Sequence, residues 1–294
     1  MLTKKRAYIL PVLLLVVLLC EWISVFFIGG IIGVVCWWFI IGGSIIASLI
    51  VIVLIALIGS RLVRGRKIHY ALTAALLIAL MMGYPILWLF DIGQMAYPVH
   101  SPILPAASIR LPIDQTTVVG WGGNSLETNR PHAIVPMERW AYDLLIDPYS
   151  VSSNKLSDYG IYDVEVIAPI SGIIIDVYDQ EDDILPGAAD NETMMGNYIY
   201  MRLDTTDTYL IFAHLKKDSV LVQIGQYVEE GTPIARVGNS GSSSEPHLHI
   251  HHQRQNPLTT SMFLTEGLPL YFRDIDGPPI PKGGIIKDII TPIN

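Results

Sequence analysis

The stretch AYILPVLLLVVLLCEWISVFFIGGIIGVVCWWFIIGGSIIASLIVIVLIALIGS, residues 7–60, decides the broad class of this protein. Its single charged residue is Glu21. One crossing of a lipid bilayer takes about 20 predominantly apolar residues, so this stretch is long enough for two crossings. A third apolar run follows after a basic loop. We therefore predict three transmembrane helices, at residues 7–28, 32–57 and 70–92, with the chain turning at Gly29 and Gly30.

The composition agrees with a membrane protein and divides the chain in two. Of its 294 residues, 51% are hydrophobic and 16% are charged, whereas an average soluble domain is about 25% charged. Residues 1–92 carry a net charge of +5, and residues 93–294 carry −13. Because an acidic domain repels a phosphate backbone, the second part is not expected to bind nucleic acid.

The distribution of basic residues predicts the orientation. Lys4, Lys5 and Arg6 precede the first span, a second basic cluster occupies residues 61–67, and the short segment between spans one and two has no basic residue. By the positive-inside rule both clusters are cytoplasmic, so the third span places the rest of the chain outside the cytoplasm of a multi-pass cell-membrane protein. A cleaved signal peptide is the alternative, but further apolar spans follow and no A-x-A-like site does.

We divide the sequence into a membrane domain at residues 1–95, a linker with a first strand at 96–119, and a β-rich domain at 120–294. Short apolar or alternating runs recur after the linker between Gly, Pro, Asn and Asp, which predicts an all-β domain. No helical periodicity is visible after residue 93. Both cysteines, Cys20 and Cys36, fall within the spans, so this domain must be stabilised by its own core, with or without a metal.

Histidines crowd into the segment PHLHIHH at residues 246–252. In a strand, alternate side chains share a face, so His247, His249 and His251 are expected to point one way while Leu248 and Ile250 enter a core. One imidazole can then bind a metal while another reaches a substrate oxygen. The alternative is a His-rich surface strand without a function.

Two other places offer the same chemistry. His214 ends the apolar run TYLIFAHL, where a structural histidine is the alternative. His132 precedes the segment WAYDLL, in which Asp143 stands among apolar residues. A buried acid is costly unless it is paired or bound to a metal, so an Asp paired with an Arg or with backbone amides is the alternative. Histidine and aspartate together suit zinc, and three protein ligands leave a fourth position for water.

The motifs AHL and GNSG-x-S-x-x-PHLH, with a V-x-x-G-type hairpin between them, resemble the lysostaphin/LytM-type zinc metalloendopeptidases, which cleave peptide bonds in bacterial cell-wall peptidoglycan. The resemblance is strong over residues 164–252, fair over 120–163 and absent from the membrane part. It implies an all-β domain of the lysostaphin type, similar to a barrel-sandwich, with one zinc ion per chain.

The resemblance also implies roles for individual residues. The second histidine of the family's HxH motif matches His249 and implies a zinc ligand; the first matches His247 and implies a catalytic residue, as does the AHL histidine, His214. The other two ligands usually form H-x-x-x-D. Here the nearest match is His132 with Asp143, and the ten residues between them are a departure from that pattern.

The function implied is a membrane-anchored zinc metalloendopeptidase that hydrolyses peptidoglycan peptide bonds with a zinc-activated water. Its expected partners are peptide stems or cross-bridges and the lipid bilayer, and a regulatory membrane partner is left open. One alternative is an inactive relative that acts as a cell-wall binding or regulatory module. Another is a lipoyl-type carrier, but such a carrier needs a lysine at a hairpin tip, and Lys216 and Lys217 follow AHL instead.

Overall fold

The computed structural model describes residues 6–99, 105–189 and 192–293. Lys4 and Lys5 of the first basic cluster and residues 100–104 of the predicted linker lie outside the described residues. The chain forms two compact units, Met1–His100 and Ser101–Asn294. We refer to them as the helical unit and the β unit.

The helical unit contains three helices that are long and apolar enough to cross a membrane, which confirms the predicted all-α region. Helix α1 (Ile9–Ile23) continues as a π-helical turn (Ser24–Ile28), α2 spans Gly30–Val63, and α3 (Tyr70–Gly83) continues as a 3-10 helix (Tyr84–Phe90). Helix α2 extends beyond the predicted residue 57 and includes Arg61 in its last turn, where a cation interacts favourably with the helix dipole.

Small residues let the helices approach each other closely. Ala71, Ala75, Ala79 and Gly83 recur every fourth position of α3 and are all buried. A Cβ atom added at Gly83 would lie 3.2 Å from Oγ of Ser48 on α2. Helices in lipid associate through close packing of such small residues, since lipid supplies no hydrophobic driving force between them.

The β unit contains thirteen strands among the described residues, which confirms the predicted all-β class. They are β1 (Ala107–Ile109), β2 (Thr117–Trp121), β3 (Tyr142–Leu145), β4 (Glu165–Ile167), β5 (Gly172–Tyr178), β6 (Asn197–Leu203), β7 (Tyr209–Leu215), β8 (Tyr227–Val228), β9 (Pro233–Arg236), β10 (Leu248–Gln253), β11 (Leu270–Phe272), β12 (Ile275–Asp276) and β13 (Ile289–Pro292).

Nine of these strands form one antiparallel sheet in the order β12-β13-β2-β3-β10-β7-β6-β5-β8. Strands β4 and β9 pair antiparallel, and β1 pairs parallel with β11. One large apolar cluster fills the interior and includes Tyr142, Phe212, Leu248 and Ile250. Full burial of each large apolar side chain stabilises the fold by about 1.5–3 kcal/mol. Leu248 and Ile250 therefore lie in the core, as their alternation with the histidines predicts.

Among the described residues, the β unit also contains one short α-helix, which leaves no helical periodicity in the sequence. Helix α4 (Leu126–Ala133) begins after Ser125, whose Oγ accepts a hydrogen bond from the backbone N–H of Thr128. It contains Pro131 and is kinked at Asn129. With only eight residues and such an interruption, it is too short to produce a periodic apolar pattern.

Candidate metal centre and active site

The register of three neighbouring strands brings distant residues together. His249 on β10 lies opposite Asp143 on β3 and opposite Ala213 on β7. Directly opposed residues of an antiparallel pair share a face of the sheet. The side chains of Asp143 and His249 therefore meet on one face, although they are 106 positions apart in the chain.

His132, Asp143 and His249 form a group whose ligand atoms lie within 4.8 Å of one another. Nδ1 of His249 lies 3.0 Å from Oδ1 of Asp143, and Nε2 of His132 lies 3.5 Å from Oδ2 of Asp143. The structure thus brings together the three residues predicted as ligands. Two imidazole nitrogens and a carboxylate oxygen are the donors that zinc prefers, so the residues present fit this ion.

Burial and the charges of neighbouring side chains shift the pKa values of Asp143, His132 and His249. Burial alone raises the pKa of Asp143, but the rings of His132, His247 and His249 outweigh it and hold that pKa well below its usual range. Burial lowers the pKa of His132. Burial also acts to lower the pKa of His249, but the hydrogen bond and charge of Asp143 overcome this and raise it. The site is therefore built around a buried negative charge.

His214 reaches the same site through an unusual backbone conformation. Its φ angle is +60°, a left-handed value that is uncommon for a residue other than glycine. In a regular strand His214 and its neighbour Ala213 would face opposite sides, yet both line the same cavity. Such strained residues cluster at functional sites, and here the strain turns the imidazole out of the core.

The ring of His214 is oriented by a backbone carbonyl. Its Nδ1 lies 2.9 Å from the carbonyl oxygen of Ser240, which can only accept, so Nδ1 carries the proton and Nε2 has a free lone pair. Burial lowers the pKa of His214 well below its usual value. The ring is therefore neutral near pH 7 and able to accept a proton at Nε2.

His247 is oriented in the same manner and lies next to His214. Its Nδ1 donates to the carbonyl oxygen of Glu245, 2.8 Å away, and its Nε2 lies 3.6 Å from Oδ1 of Asp143. The ring centroids of His214 and His247 are 4.7 Å apart. Two imidazoles whose Nδ1 atoms are held by backbone carbonyls therefore flank the group formed by His132, Asp143 and His249.

These five side chains line a cavity of about 770 Å³. Its walls also include four methionines, a loop of three serines and one further acid, contributed by Met137, Met194, Met195, Met262, Ser242, Ser243, Ser244 and Glu138. Methionine side chains are flexible and adapt to irregular ligands. A cavity of this size lies within the range of pockets that bury a bound ligand.

Asn129, His251 and Gln253 lie beside the site but were not predicted to belong to it. Of the three, only His251 was predicted to share a face with His249. Asn129 lies 2.8 Å from Nδ1 of His132, and its position three residues earlier in a helix is the signal that would have revealed it. His251 lies 3.0 Å from Nε2 of His249, and Gln253 lies 3.0 Å from His251. The alternative of a His-rich surface strand is wrong, because the side chains of His251 and His252 are fully buried.

Residues 158–259 match the family model described as "Peptidase family M23". This match confirms the resemblance predicted from the sequence. It covers His214, His247 and His249 but begins after His132 and Asp143.

Solved structures of peptidases are similar to part of this chain. The antimicrobial peptidase lysostaphin from Staphylococcus simulans is 19% identical over 51% of this chain and 46% of its own, with a TM-score of 0.32. This chain therefore spans about half the length of that protein. The catalytic domain of lysostaphin alone is 19% identical over 52% and 88%, with a TM-score of 0.32. A zinc-containing peptidase from Vibrio cholerae is 20% identical over 50% and 37%, with a TM-score of 0.33.

Proposed function

We propose that this chain, whose residues 158–259 carry a domain of peptidase family M23, is a membrane-anchored zinc endopeptidase that cleaves peptide bonds of bacterial cell-wall peptidoglycan. The observation that supports this most directly is the meeting of His132, Asp143 and His249 beside two histidines whose Nδ1 atoms are held by backbone carbonyls. The choice of substrate rests on the family resemblance of the motifs around His214, His247 and His249, which lie within the residues that match the family model.

In this proposal His132, Asp143 and His249 hold one zinc ion. Zinc, when bound, polarises the scissile carbonyl and lowers the pKa of water toward neutrality. His132 supplies Nε2, His249 supplies Nδ1, and Asp143 supplies the carboxylate that balances part of the charge.

In this proposal His214 and His247 carry out the proton transfer. Peptide hydrolysis needs a group that takes a proton from the attacking water and returns it to the leaving amine. Both rings present Nε2 as an acceptor, and both donate Nδ1–H to a backbone carbonyl, which fixes their orientation. Once protonated, either ring can also donate a hydrogen bond to the oxyanion that develops on the substrate.

The helical unit is the proposed anchor, with residues 1–95 as the membrane domain, 96–119 as the linker and first strand, and 120–294 as the peptidase domain. The basic clusters on either side of the first two spans favour an orientation in which the β unit lies outside the cytoplasm. Peptidoglycan occupies that same side of the cell membrane, so the anchor would hold the enzyme near its substrate.

Metal analysis and hydrolysis together test the proposal. We expect the full chain, purified in detergent, to contain one zinc ion and to release new amino termini from purified peptidoglycan. Removing the zinc with a chelator is expected to abolish the release, and restoring zinc is expected to recover it. A chain that binds no metal and releases no amines would instead support an inactive module.

A further inference from the structure

We infer that His251 and Gln253 position His249 by determining which of its ring nitrogens is free to bind the metal. The inference rests on the proposed function, because it takes His249 as a ligand. All three side chains lie on the same face of β10, at alternate positions of the strand. Each of them is buried.

A continuous row of hydrogen bonds follows this face. Nε2 of His249 lies 3.0 Å from Nδ1 of His251. Nε2 of His251 lies 3.0 Å from Oε1 of Gln253. The amide nitrogen of Gln253 donates to the backbone carbonyl of Gln255 at 2.7 Å. The row therefore joins the candidate ligand to a fixed backbone group at the end of the strand.

The bond from Gln253 to the carbonyl of Gln255 determines which atom is the donor and which the acceptor in every other hydrogen bond of the row. A backbone carbonyl can only accept, so the nitrogen of the Gln253 amide must face it and Oε1 must face His251. Since Oε1 also only accepts, Nε2 of His251 carries a proton. In neutral His251, Nδ1 is then the acceptor. His249 must therefore donate from its Nε2.

This direction determines the state of the atom that faces Asp143. Zinc would take the place of the proton that Nδ1 of His249 donates to Asp143, 3.0 Å away. With Nε2 kept as the donor to His251, the lone pair of Nδ1 is the one available to the metal. The row thus selects the tautomer that can bind a metal on the side of Asp143 and His132. It also prevents the ring from rotating, because rotation would break the bond to His251.

The neighbouring residue on the strand offers a matched control. His252 is buried on the opposite face, where it contacts Oγ1 of Thr208 at 2.6 Å and the carbonyl oxygen of Pro269 at 3.1 Å. Replacing His251 or His252 by leucine removes the same ring from the same strand. Of the two changes, only the one at His251 removes a partner of His249.

The test measures zinc affinity, by competition with a chelator, in the full chain purified in detergent. For His251→Leu we expect zinc to bind about 10- to 100-fold more weakly, as is typical when a partner of a ligand histidine is removed. His251→Asn is expected to restore most of the affinity, because an amide oxygen can accept from Nε2 of His249. His252→Leu is expected to retain the affinity of the unmodified chain, even if it is less stable.

A second variant serves if His251→Leu does not fold. Gln253→Leu is expected to weaken zinc binding, because it removes the acceptor that keeps the proton of His251 on Nε2. The absorption spectrum of the cobalt-substituted chain gives an independent readout: we expect His251→Leu and Gln253→Leu to change its ligand-field bands and His251→Asn to restore them.

The outcomes separate this inference from the proposed function. If the unmodified chain binds zinc and the two leucine variants at positions 251 and 253 bind it equally well, the positioning role is wrong while the metal site stands. If His251→Leu and His251→Asn lose affinity to the same extent, or His252→Leu loses as much, the histidine is merely structural and the inference fails. An unmodified chain that binds no zinc overturns both.

Discussion

Nδ1 of His132 donates a hydrogen bond to Oδ1 of Asn129, 2.8 Å away, within a helix that is broken at Asn129 itself. The amide nitrogen of Asn129 donates to the carbonyl oxygens of Gly123 and Ala141. These bonds leave Oδ1 as the acceptor, so the proton of His132 is on Nδ1 and Nε2 is free to face Asp143. Asn129 thus links the loop before the helix, the ring of His132 and the residue that precedes β3.

Removing this asparagine is expected to weaken the metal site and the fold together. Asn129→Leu keeps the approximate volume but leaves the carbonyl groups of Gly123 and Ala141 without their partner. Each unpaired buried group costs about 1–3 kcal/mol, and we expect zinc affinity to fall about 10- to 100-fold. Thermal unfolding and chelator competition measure the two effects. Asn124→Leu, at an exposed position in the preceding loop, should change neither.

Substitution of single histidines is expected to separate metal binding from catalysis. His249→Ala removes a ligand and should lose both zinc and peptidoglycan hydrolysis. His247→Ala should retain zinc and lose about 100-fold or more in rate, which is the usual contribution of a proton-transfer group. Loss of zinc from His247→Ala would contradict this division of roles, and full zinc occupancy in His132→Ala would remove His132 from the ligand set.

Acid is expected to destabilise the β unit in part through His252. Burial lowers the pKa of this ring from its ordinary value of 6.5 to about 4. Because the folded state favours the neutral ring, the contribution of His252 is fully present above about pH 6.5 and is lost as the pH falls toward 4. The total change is about 3 kcal/mol.

Denaturant unfolding at a series of pH values between 7 and 4, followed by tryptophan fluorescence, measures this dependence. The variant His252→Gln cannot titrate, so its free energy of unfolding should fall less steeply over this range than that of the unmodified chain. Identical slopes for the two proteins would mean that His252 does not contribute to the acid sensitivity.

The close approach of the backbone at Gly241 to the backbone at Gly196 is expected to fix the orientation of the His214 ring. Gly241 has a φ of +74°, and a Cβ atom added there would lie 2.2 Å from the backbone nitrogen of Gly196. This contact lies beside Ser240, whose carbonyl orients the ring of His214. We expect Gly241→Ala to lower the free energy of unfolding by about 1–3 kcal/mol and to reduce the rate of hydrolysis while zinc is retained.

Gly225→Ala is the matched control, since Gly225 also has a positive φ, +85°, but nothing lies within 4 Å of its added Cβ. It should show a loss of stability from backbone strain alone and keep full activity. Equal losses of activity in the two alanine variants would indicate that the close approach at Gly241 has no special role.

Local patterns were enough to predict several features. The apolar runs predicted the three helices, because a span is defined by its own length and composition. The alternation of His249 and His251 with Leu248 and Ile250 predicted which residues enter the core, because strand periodicity is local. The roles assigned to the histidines stay predictions.

Tertiary structure alone decided how the candidate site is assembled. The meeting of Asp143 with His249 depends on the pairing of β3 with β10, and a slip of one residue would turn one side chain to the opposite face. The φ of +60° at His214 and the break of the helix at Asn129 depend on their surroundings rather than on their residue types. Sequence thus determined which groups are available, whereas their convergence required long-range register, which no local pattern encodes.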